Sequence, residues 1–159
     1  MYSEPGRGTT FKVYLPRVDA SVEPLAPARL VEGTPAGTET ILLAEDDDQL
    51  RKLVGGLLAR IGYQVLPAAN AEEALAQAGQ YPGHIHLLLS DVVMPGAGGH
   101  QLARRLAEAR PATRTLFMSG YTEAAIIDHG MLERGLHYLQ KPFTPAVLAR
   151  RVRDVLDSE

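Results

Sequence analysis

The sequence predicts a doubly wound α/β fold, with helices on both faces of a five-stranded parallel sheet. From Thr40 onward, short apolar runs alternate with longer stretches in which apolar residues recur at the helical period. Two of the short runs end abruptly in acids, at Glu45-Asp46 and at Asp91, which is typical of buried strands that leave a parallel sheet. Five strand–helix units in succession therefore indicate a parallel sheet covered on both faces.

The composition limits the classes of function. A chain of 159 residues accommodates one domain of ordinary size and an appendage, and its 45% apolar and 22% charged residues are typical of a globular protein. The net charge of −3 gives no support for nucleic-acid binding, and the lack of cysteine excludes disulfides and thiol catalysis. Neither a membrane-spanning run nor a signal-peptide core is present, so we expect a cytoplasmic protein that binds neither nucleic acid nor membrane.

The first 39 residues differ from the rest of the chain, because they contain five prolines and four glycines. Only residues 11–15 alternate in the manner of a strand. The proline-rich stretch at 17–39 predicts a stiffened linker.

Five short apolar runs predict the strands of the sheet. They lie at residues 41–46, 64–68, 85–91, 115–119 and 136–140. Turn residues separate the runs from the helices before them, as Gly62 and Pro82-Gly83 do.

Five helices are predicted between and after these strands. Their ranges are about 50–61, 70–80, 102–109, 122–131 and 144–156. Asp47 or Asp48 can cap the first helix, and Gly62 suits its end. Asn70 opens the second helix with the spacing of a capping box, and Thr144 precedes a proline at the first position of the last helix.

Four of the predicted strands end in a reactive or polar side chain. Glu45 and Asp46 end the first strand, Asp91 the third, Ser119 the fourth and Lys141 the fifth. If the strand order is 2-1-3-4-5, the switch point of the sheet lies between the first and third strands, which carry the acids. The sequence therefore predicts one site at this edge.

The predicted site gathers like charges. Two carboxylates about 4 Å apart repel by roughly 4 kcal/mol at an effective dielectric of about 20. Mg²⁺ would remove most of that repulsion, since it prefers a few carboxylates with room for water and phosphate oxygens. With the ammonium of Lys141 and the hydroxyl of Ser119, these are the groups needed to transfer a phosphoryl group to an aspartate.

Four motifs together resemble the receiver domain of two-component response regulators. They are Glu45-Asp46, Ser90-Asp91-Val92-Val93-Met94-Pro95-Gly96, Ser119-Gly120 and Lys141-Pro142-Phe143. Each motif is short, but their order and intervals make the resemblance specific, and it extends from about Thr40 to Ser158. It implies the flavodoxin-like receiver fold and a phosphorelay function.

The resemblance implies how the acids act. Asp91 would be the phosphoacceptor, and Asp46 would ligate Mg²⁺ directly, with Glu45 acting nearby or through water. The backbone carbonyl of Val93 would be a further ligand, and Mn²⁺ would be a substitute for Mg²⁺.

The resemblance also implies a switch. Lys141 would contact the phosphoryl group, and the bond between Lys141 and Pro142 is cis in the family. Ser119 would move to the phosphoryl oxygen and Tyr138 would turn inward with it. The surface formed by the fourth helix, fifth strand and fifth helix would then change its partners, and two copies of the chain could dimerise through it.

The implied partner is a histidine kinase or phosphotransfer domain that carries phosphohistidine. We expect no stand-alone turnover, apart from the chain's own aspartyl phosphorylation and dephosphorylation.

The N-terminal segment 4–16 resembles the end of the ATP-binding domain of sensor histidine kinases, in which a glycine-rich loop and a threonine precede a last strand. We therefore expect a kinase-domain remnant at 1–16, a linker at 17–39 and the receiver at 40–159, as in the tail of a hybrid histidine kinase. The other nucleotide-binding motifs and the phosphorylatable histidine region are absent, so this chain should neither bind ATP nor phosphorylate histidine.

Two other functions remain open at this point. One is a degenerate receiver that binds partners without phosphorylation, although every acid, the hydroxyl and the lysine are present. The other is a phosphatase of the haloacid-dehalogenase type, which needs a second acid two residues after the nucleophile. That position is Val93 here.

Overall fold

Seven strands and four helices lie in the part of the chain that the computed structural model describes, residues 2–4, 6, 8–10, 12, 14, 36–120 and 136–158. The strands are β1 (Tyr2–Glu4), β2 (Gly8–Thr10), β3 (Thr40–Ala44), β4 (Gln64–Ala68), β5 (Leu87–Asp91), β6 (Arg114–Ser119) and β7 (His137–Gln140). The helices are α1 (Asp48–Arg60), α2 (Ala71–Gln80), α3 (Gly99–Ala109) and α4 (Pro145–Asp157). The predicted helix at 122–131 and all but the last four residues of the predicted linker lie outside the described residues.

The main sheet is parallel and confirms the predicted fold. Its strands stand in the order β4-β3-β5-β6-β7, which is 2-1-3-4-5 when the five strands are counted along the chain. Ala44 at the end of β3 is in register with Ala68 on one side and Ser90 on the other. The strand order reverses between β3 and β5, so the acids that follow these two strands emerge side by side.

The sheet divides the core into two layers. Ile41 and Leu43 of β3 belong to the cluster that includes α1 and α4, whereas Leu42 and Ala44 belong to the cluster that includes α2 and α3. All four side chains are fully buried. Successive strand residues point to opposite faces, so burial on both faces requires an unbroken apolar run, and the run ends where the sheet ends.

Local capping signals in the sequence match the helix boundaries. Asp47, Asn70 and Thr144 each accept a hydrogen bond from the backbone amide three residues further on. Of the two candidates for the cap of α1, Asp47 is the cap and Asp48 is the first helical residue. Gly62 follows α1 with a φ of 101°, a left-handed conformation that glycine adopts without strain. Among the described residues, no helix combines the length and the apolar character needed to cross a membrane.

The N-terminal segment contains a hairpin that the sequence reasoning missed. Strands β1 and β2 pair in antiparallel register, and the chain turns between them at Gly6, whose φ is 78°. The strand predicted at 11–15 is wrong at Lys12 and Tyr14, which lie in no strand, and its other three residues lie outside the described part. Alternation identifies a segment that could extend, but a strand also requires a partner in register.

Arg110, at the end of α3, holds the turn that leads from α2 to β5. Its guanidinium donates hydrogen bonds to the carbonyl oxygens of Ala78, Tyr81 and Gly83, at distances of 2.6–3.1 Å. The last carbonyls of a helix have no partner within the helix. Arg110 therefore stabilises the end of α2 and the turn that directs the chain into β5.

We expect Arg110→Met to lower the free energy of unfolding by about 1–3 kcal/mol, because partly buried carbonyls lose their donors. Arg105→Met is the matched control, since it removes the same charge from an exposed position of α3 and should change stability little. Urea unfolding of both variants measures the difference. Equal losses in the two variants would contradict the role given to Arg110.

Candidate functional site

Three carboxylates meet at the carboxyl edge of the sheet. One oxygen from each of Glu45, Asp46 and Asp91 lies within 4.8 Å of the other two. This arrangement follows from the register, because Ala44 and Ser90 are paired and the next residue on each strand is an acid. Among the described residues, this is the one acidic group with the spacing of a metal site.

Lys141 connects the two acid-bearing strands. Its Nζ lies 2.8 Å from Glu45 Oε2 and 2.8 Å from Asp91 Oδ2. The backbone amide of Lys141 donates to the carbonyl oxygen of Ser119 at 2.7 Å, and the peptide bond to Pro142 is cis. The residue after β7 thus binds the residue that follows β3 and the last residues of β5 and β6.

Burial raises the free energy of the charged side chains at this site. Glu45 is 1% exposed, and burial raises its pKa more than the hydrogen bond with Lys141 lowers it, while the charge of Asp91 adds to the rise. Burial also acts to lower the pKa of Lys141, but the hydrogen bonds that Lys141 donates to Asp91 and Glu45 outweigh it, and the pKa is raised. Lys141 therefore carries its positive charge at neutral pH. Three carboxylates against one ammonium leave an excess of negative charge.

The Asp91 carboxylate is held from two sides. Its Oδ1 accepts a hydrogen bond from the backbone amide of Val93 at 3.2 Å, and its Oδ2 accepts the bond from Lys141. The side chain is 15% exposed, so it remains accessible from solvent. Val93 is 60% exposed and lies at the rim of the site.

The backbone around Asp91 is held by Ser90 and by the start of α3. Ser90 Oγ donates to the Asp91 carbonyl oxygen at 2.9 Å, and the amide of Gly99 donates to the carbonyl oxygen of Val92 at 3.0 Å. A Cβ placed on Gly99 would lie 2.1 Å from the Asp91 carbonyl oxygen. Only glycine allows this approach, which closes the loop between β5 and α3.

The two predicted switch residues lie on neighbouring strands. Ser119 ends β6 and is 2% exposed, one strand away from Asp91. Tyr138 is 9% exposed, and its ring stacks on Phe117 with centroids 5.4 Å apart. His100 packs on the same Phe117 ring at 4.4 Å. Tyr138 thus lies inside an aromatic cluster, and its role in switching stays a prediction.

Three residues of the site were missed by sequence reasoning. Arg51 Nη1 donates to the carbonyl oxygen of Glu45 at 2.6 Å, and Ser90 and Gly99 hold the backbone of Asp91. An arginine in the first turn of an amphipathic helix usually indicates a solvated charge. The position of Arg51 one turn beyond an acidic loop was the available signal, but its target is a backbone atom, which sequence patterns do not reveal.

Residues 41–153 match the response regulator receiver domain. The chain belongs to this family. The receiver resemblance seen in the motifs is therefore confirmed, and the parallel sheet with its acidic carboxyl edge is the receiver architecture.

Two curated relatives show different extents of similarity to this receiver domain. The chain is 37% identical over 168 residues to the sensor kinase CckA of Brucella abortus, an alignment that covers 99% of this chain and 17% of that protein. It is 34% identical over 116 residues to the response regulator receiver protein CpdR of the same organism, covering 73% of this chain and 95% of that protein. This receiver domain and its N-terminal segment thus span about a sixth of the length of the sensor kinase.

Solved structures show the same fold. The crystal structure of the receiver domain from the hybrid histidine kinase CckA is 38% identical and superimposes with a TM-score of 0.63, covering 74% of this chain and 99% of that chain. The chemotaxis response regulator CheY4 of Vibrio cholerae is 26% identical, with a TM-score of 0.66, and the alignment covers 75% of this chain.

We expect Gly99→Ala to destabilise the receiver domain by about 1–3 kcal/mol, because the new methyl group would force α3 away from the Asp91 carbonyl oxygen. Gly56→Ala is the matched control, since no atom lies within 4 Å of a Cβ at that helical position. It should stabilise α1 by about 0.5–1 kcal/mol. Urea unfolding measures both, and an unchanged midpoint for Gly99→Ala would contradict the close approach.

Proposed function

We propose that this receiver domain accepts a phosphoryl group on Asp91 from phosphohistidine and acts in a phosphorelay. One observation carries the proposal: the ammonium of Lys141 lies 2.8 Å from the carboxylates of both Asp91 and Glu45, which belong to the acidic cluster. A partly buried cation between an accessible carboxylate and a second acid suits the transfer of a negatively charged group to that carboxylate.

The donor set fits Mg²⁺. Every candidate ligand is oxygen, from the carboxylates of Glu45, Asp46 and Asp91 and the backbone carbonyl of Val93. Asp46 is exposed and Asp91 partly so, which leaves room for water and for phosphate oxygens. Bound Mg²⁺ would offset the repulsion between the acids and the incoming phosphoryl oxygens, and Mn²⁺ would substitute for it.

The transfer itself uses groups of this chain. A carboxylate oxygen of Asp91 attacks the phosphorus, and the bond from phosphorus to the imidazole nitrogen breaks, with its electron pair remaining on the imidazole. The ammonium of Lys141 would form an ion pair with the negatively charged phosphoryl oxygens during the transfer. The hydroxyl of Ser119 would donate a hydrogen bond to one of those oxygens. The phosphoryl group stays bonded to Asp91 after the transfer, so we expect no stand-alone turnover apart from the chain's own aspartyl phosphorylation and dephosphorylation.

We propose that Ser119 and Tyr138 transmit the phosphorylated state to the surface. Tyr138 is linked to α4, because Arg151 Nε donates to its backbone carbonyl oxygen at 3.1 Å. A shift of Tyr138 would therefore reach the surface of β7 and α4. That surface, with the predicted helix at 122–131, would bind partners or a second copy of the chain.

We further propose that the parent protein is a hybrid histidine kinase. The alignment with the sensor kinase CckA covers 99% of this chain, whereas that with the receiver protein CpdR covers 73%. The additional coverage supports a kinase-domain remnant at 1–16, a linker at 17–39 and the receiver at 40–159. The receiver would bind a phosphohistidine-bearing kinase or phosphotransfer domain as its partner. It would bind neither nucleic acid nor membrane.

We expect acetyl phosphate with Mg²⁺ to add the mass of one phosphoryl group to the wild-type protein, as measured by intact-mass spectrometry. Asp91→Asn should abolish the gain, because the amide is not nucleophilic, whereas Asp154→Asn on α4 should retain it. No gain in the wild type would favour a degenerate receiver. Rapid turnover of a small phosphate ester would favour a phosphatase.

We also expect Mg²⁺ to raise the melting temperature, because an ion that binds only the folded site stabilises it by about 2.7 kcal/mol at a hundredfold excess over Kd. Asp46→Asn should remove most of the shift, whereas Asp157→Asn on α4 should leave it intact. Thermal unfolding with and without Mg²⁺ at constant ionic strength measures it. A wild-type melting temperature indifferent to Mg²⁺ would count against the metal assignment.

A further inference from the structure

The two acids that follow β3 lie on a short turn whose backbone is held at both ends. At one end, the amide of Glu45 donates to the carbonyl oxygen of Ala68 at 3.1 Å and so continues the sheet. At the other end, the side chain of Asp47 caps α1. Between these points, the carbonyl oxygens of Glu45 and Asp46 belong neither to β3 nor to α1.

Arg51 binds both of these carbonyl oxygens. Its Nη1 lies 2.6 Å from Glu45 O and 3.3 Å from Asp46 O, and its Nη2 lies 2.8 Å from Asp48 Oδ1. The side chain is only 16% exposed. The planar guanidinium is therefore fixed by three partners in one half-buried position.

We propose that Arg51 is the positioning residue that orients Glu45 and Asp46 toward Asp91. A hydrogen bond to a carbonyl oxygen restricts the rotation of its peptide plane. The direction of each acid side chain depends on the two peptide planes that flank its Cα. Glu45 is 1% exposed, and Arg51 Nη1 donates to its carbonyl oxygen, so loss of Arg51 would take a donor away from a buried residue. The inference deepens the proposed function and rests on it.

A positioning role for Arg51 and a purely electrostatic role predict opposite changes in the affinity for Mg²⁺ when Arg51 is removed. If Arg51 acted only through its positive charge, its removal would reduce the repulsion of a cation and tighten Mg²⁺ binding. If it acts by holding the carbonyl oxygens, its removal loosens the acids and weakens Mg²⁺ binding. The sign of the change in affinity therefore distinguishes the two.

Lys52 offers a matched control on the same helix. Its Nζ lies 2.6 Å from Asp48 Oδ2, so it shares a partner with Arg51, but its side chain is 76% exposed. Within the described part of the chain, Lys52 makes no hydrogen bond to the carbonyl oxygen of Glu45 or Asp46. Lys52→Met removes the same charge from α1 without releasing the turn.

The test is isothermal titration of the full chain with Mg²⁺ at constant ionic strength. We expect Arg51→Met to raise the Kd about tenfold, as the loss of a residue that orients metal ligands commonly does. Arg51→Lys should fall between this variant and the wild type, because an ammonium lacks the planar fork. Lys52→Met should leave the Kd unchanged or slightly lower. Unchanged or tighter binding by Arg51→Met overturns the inference.

Two further measurements separate the possible failures. Amide NMR shifts of residues 45–47 in the metal-free protein should move in Arg51→Met and not in Lys52→Met, and equal shifts overturn the inference. If Arg51→Met does not fold, Arg51→Lys decides, and a wild-type Kd for that variant overturns it. Failure of the wild type to bind Mg²⁺ or accept a phosphoryl group would instead overturn the proposed function.

Discussion

Mutual repulsion of carboxylates at one edge of the sheet is the constraint on which the rest of this structure depends. Glu45 follows β3 and Asp91 ends the adjacent β5, so the register that builds the core also forces their charges together. Lys141 offsets part of the repulsion through two bonds of 2.8 Å. The cluster retains excess negative charge, and a divalent cation would offset it.

The scaffold holds the acids mainly through their backbone. Ser90 and Gly99 fix the carbonyl oxygen and loop of Asp91, and Arg51 binds the carbonyl oxygens of the other two acids. A charged side chain that repels its neighbours can relieve the repulsion by rotating its peptide plane. Contacts to the backbone restrict that rotation.

The helix caps could be predicted because each depends on neighbouring residues, whereas the strand order was predicted from the family resemblance. Asp47, Asn70 and Thr144 cap helices through bonds that span three residues, and such bonds follow from the local sequence. The prediction at 11–15 was wrong at Lys12 and Tyr14, because alternation alone does not supply a partner strand. The roles of Ser119 and Tyr138 came from family resemblance, since nothing local distinguishes a switch residue from a packed one.

By itself, the sequence determined the doubly wound sheet and the strand ends at which the acids and Lys141 emerge. Only the tertiary structure decided which atoms meet. Lys141 binds partners 50 and 96 residues away, and Gly99 is required by a carbonyl oxygen eight positions earlier. The physical reason is that propensity and capping act over a few residues, whereas these contacts exist only after the sheet register has brought distant segments together.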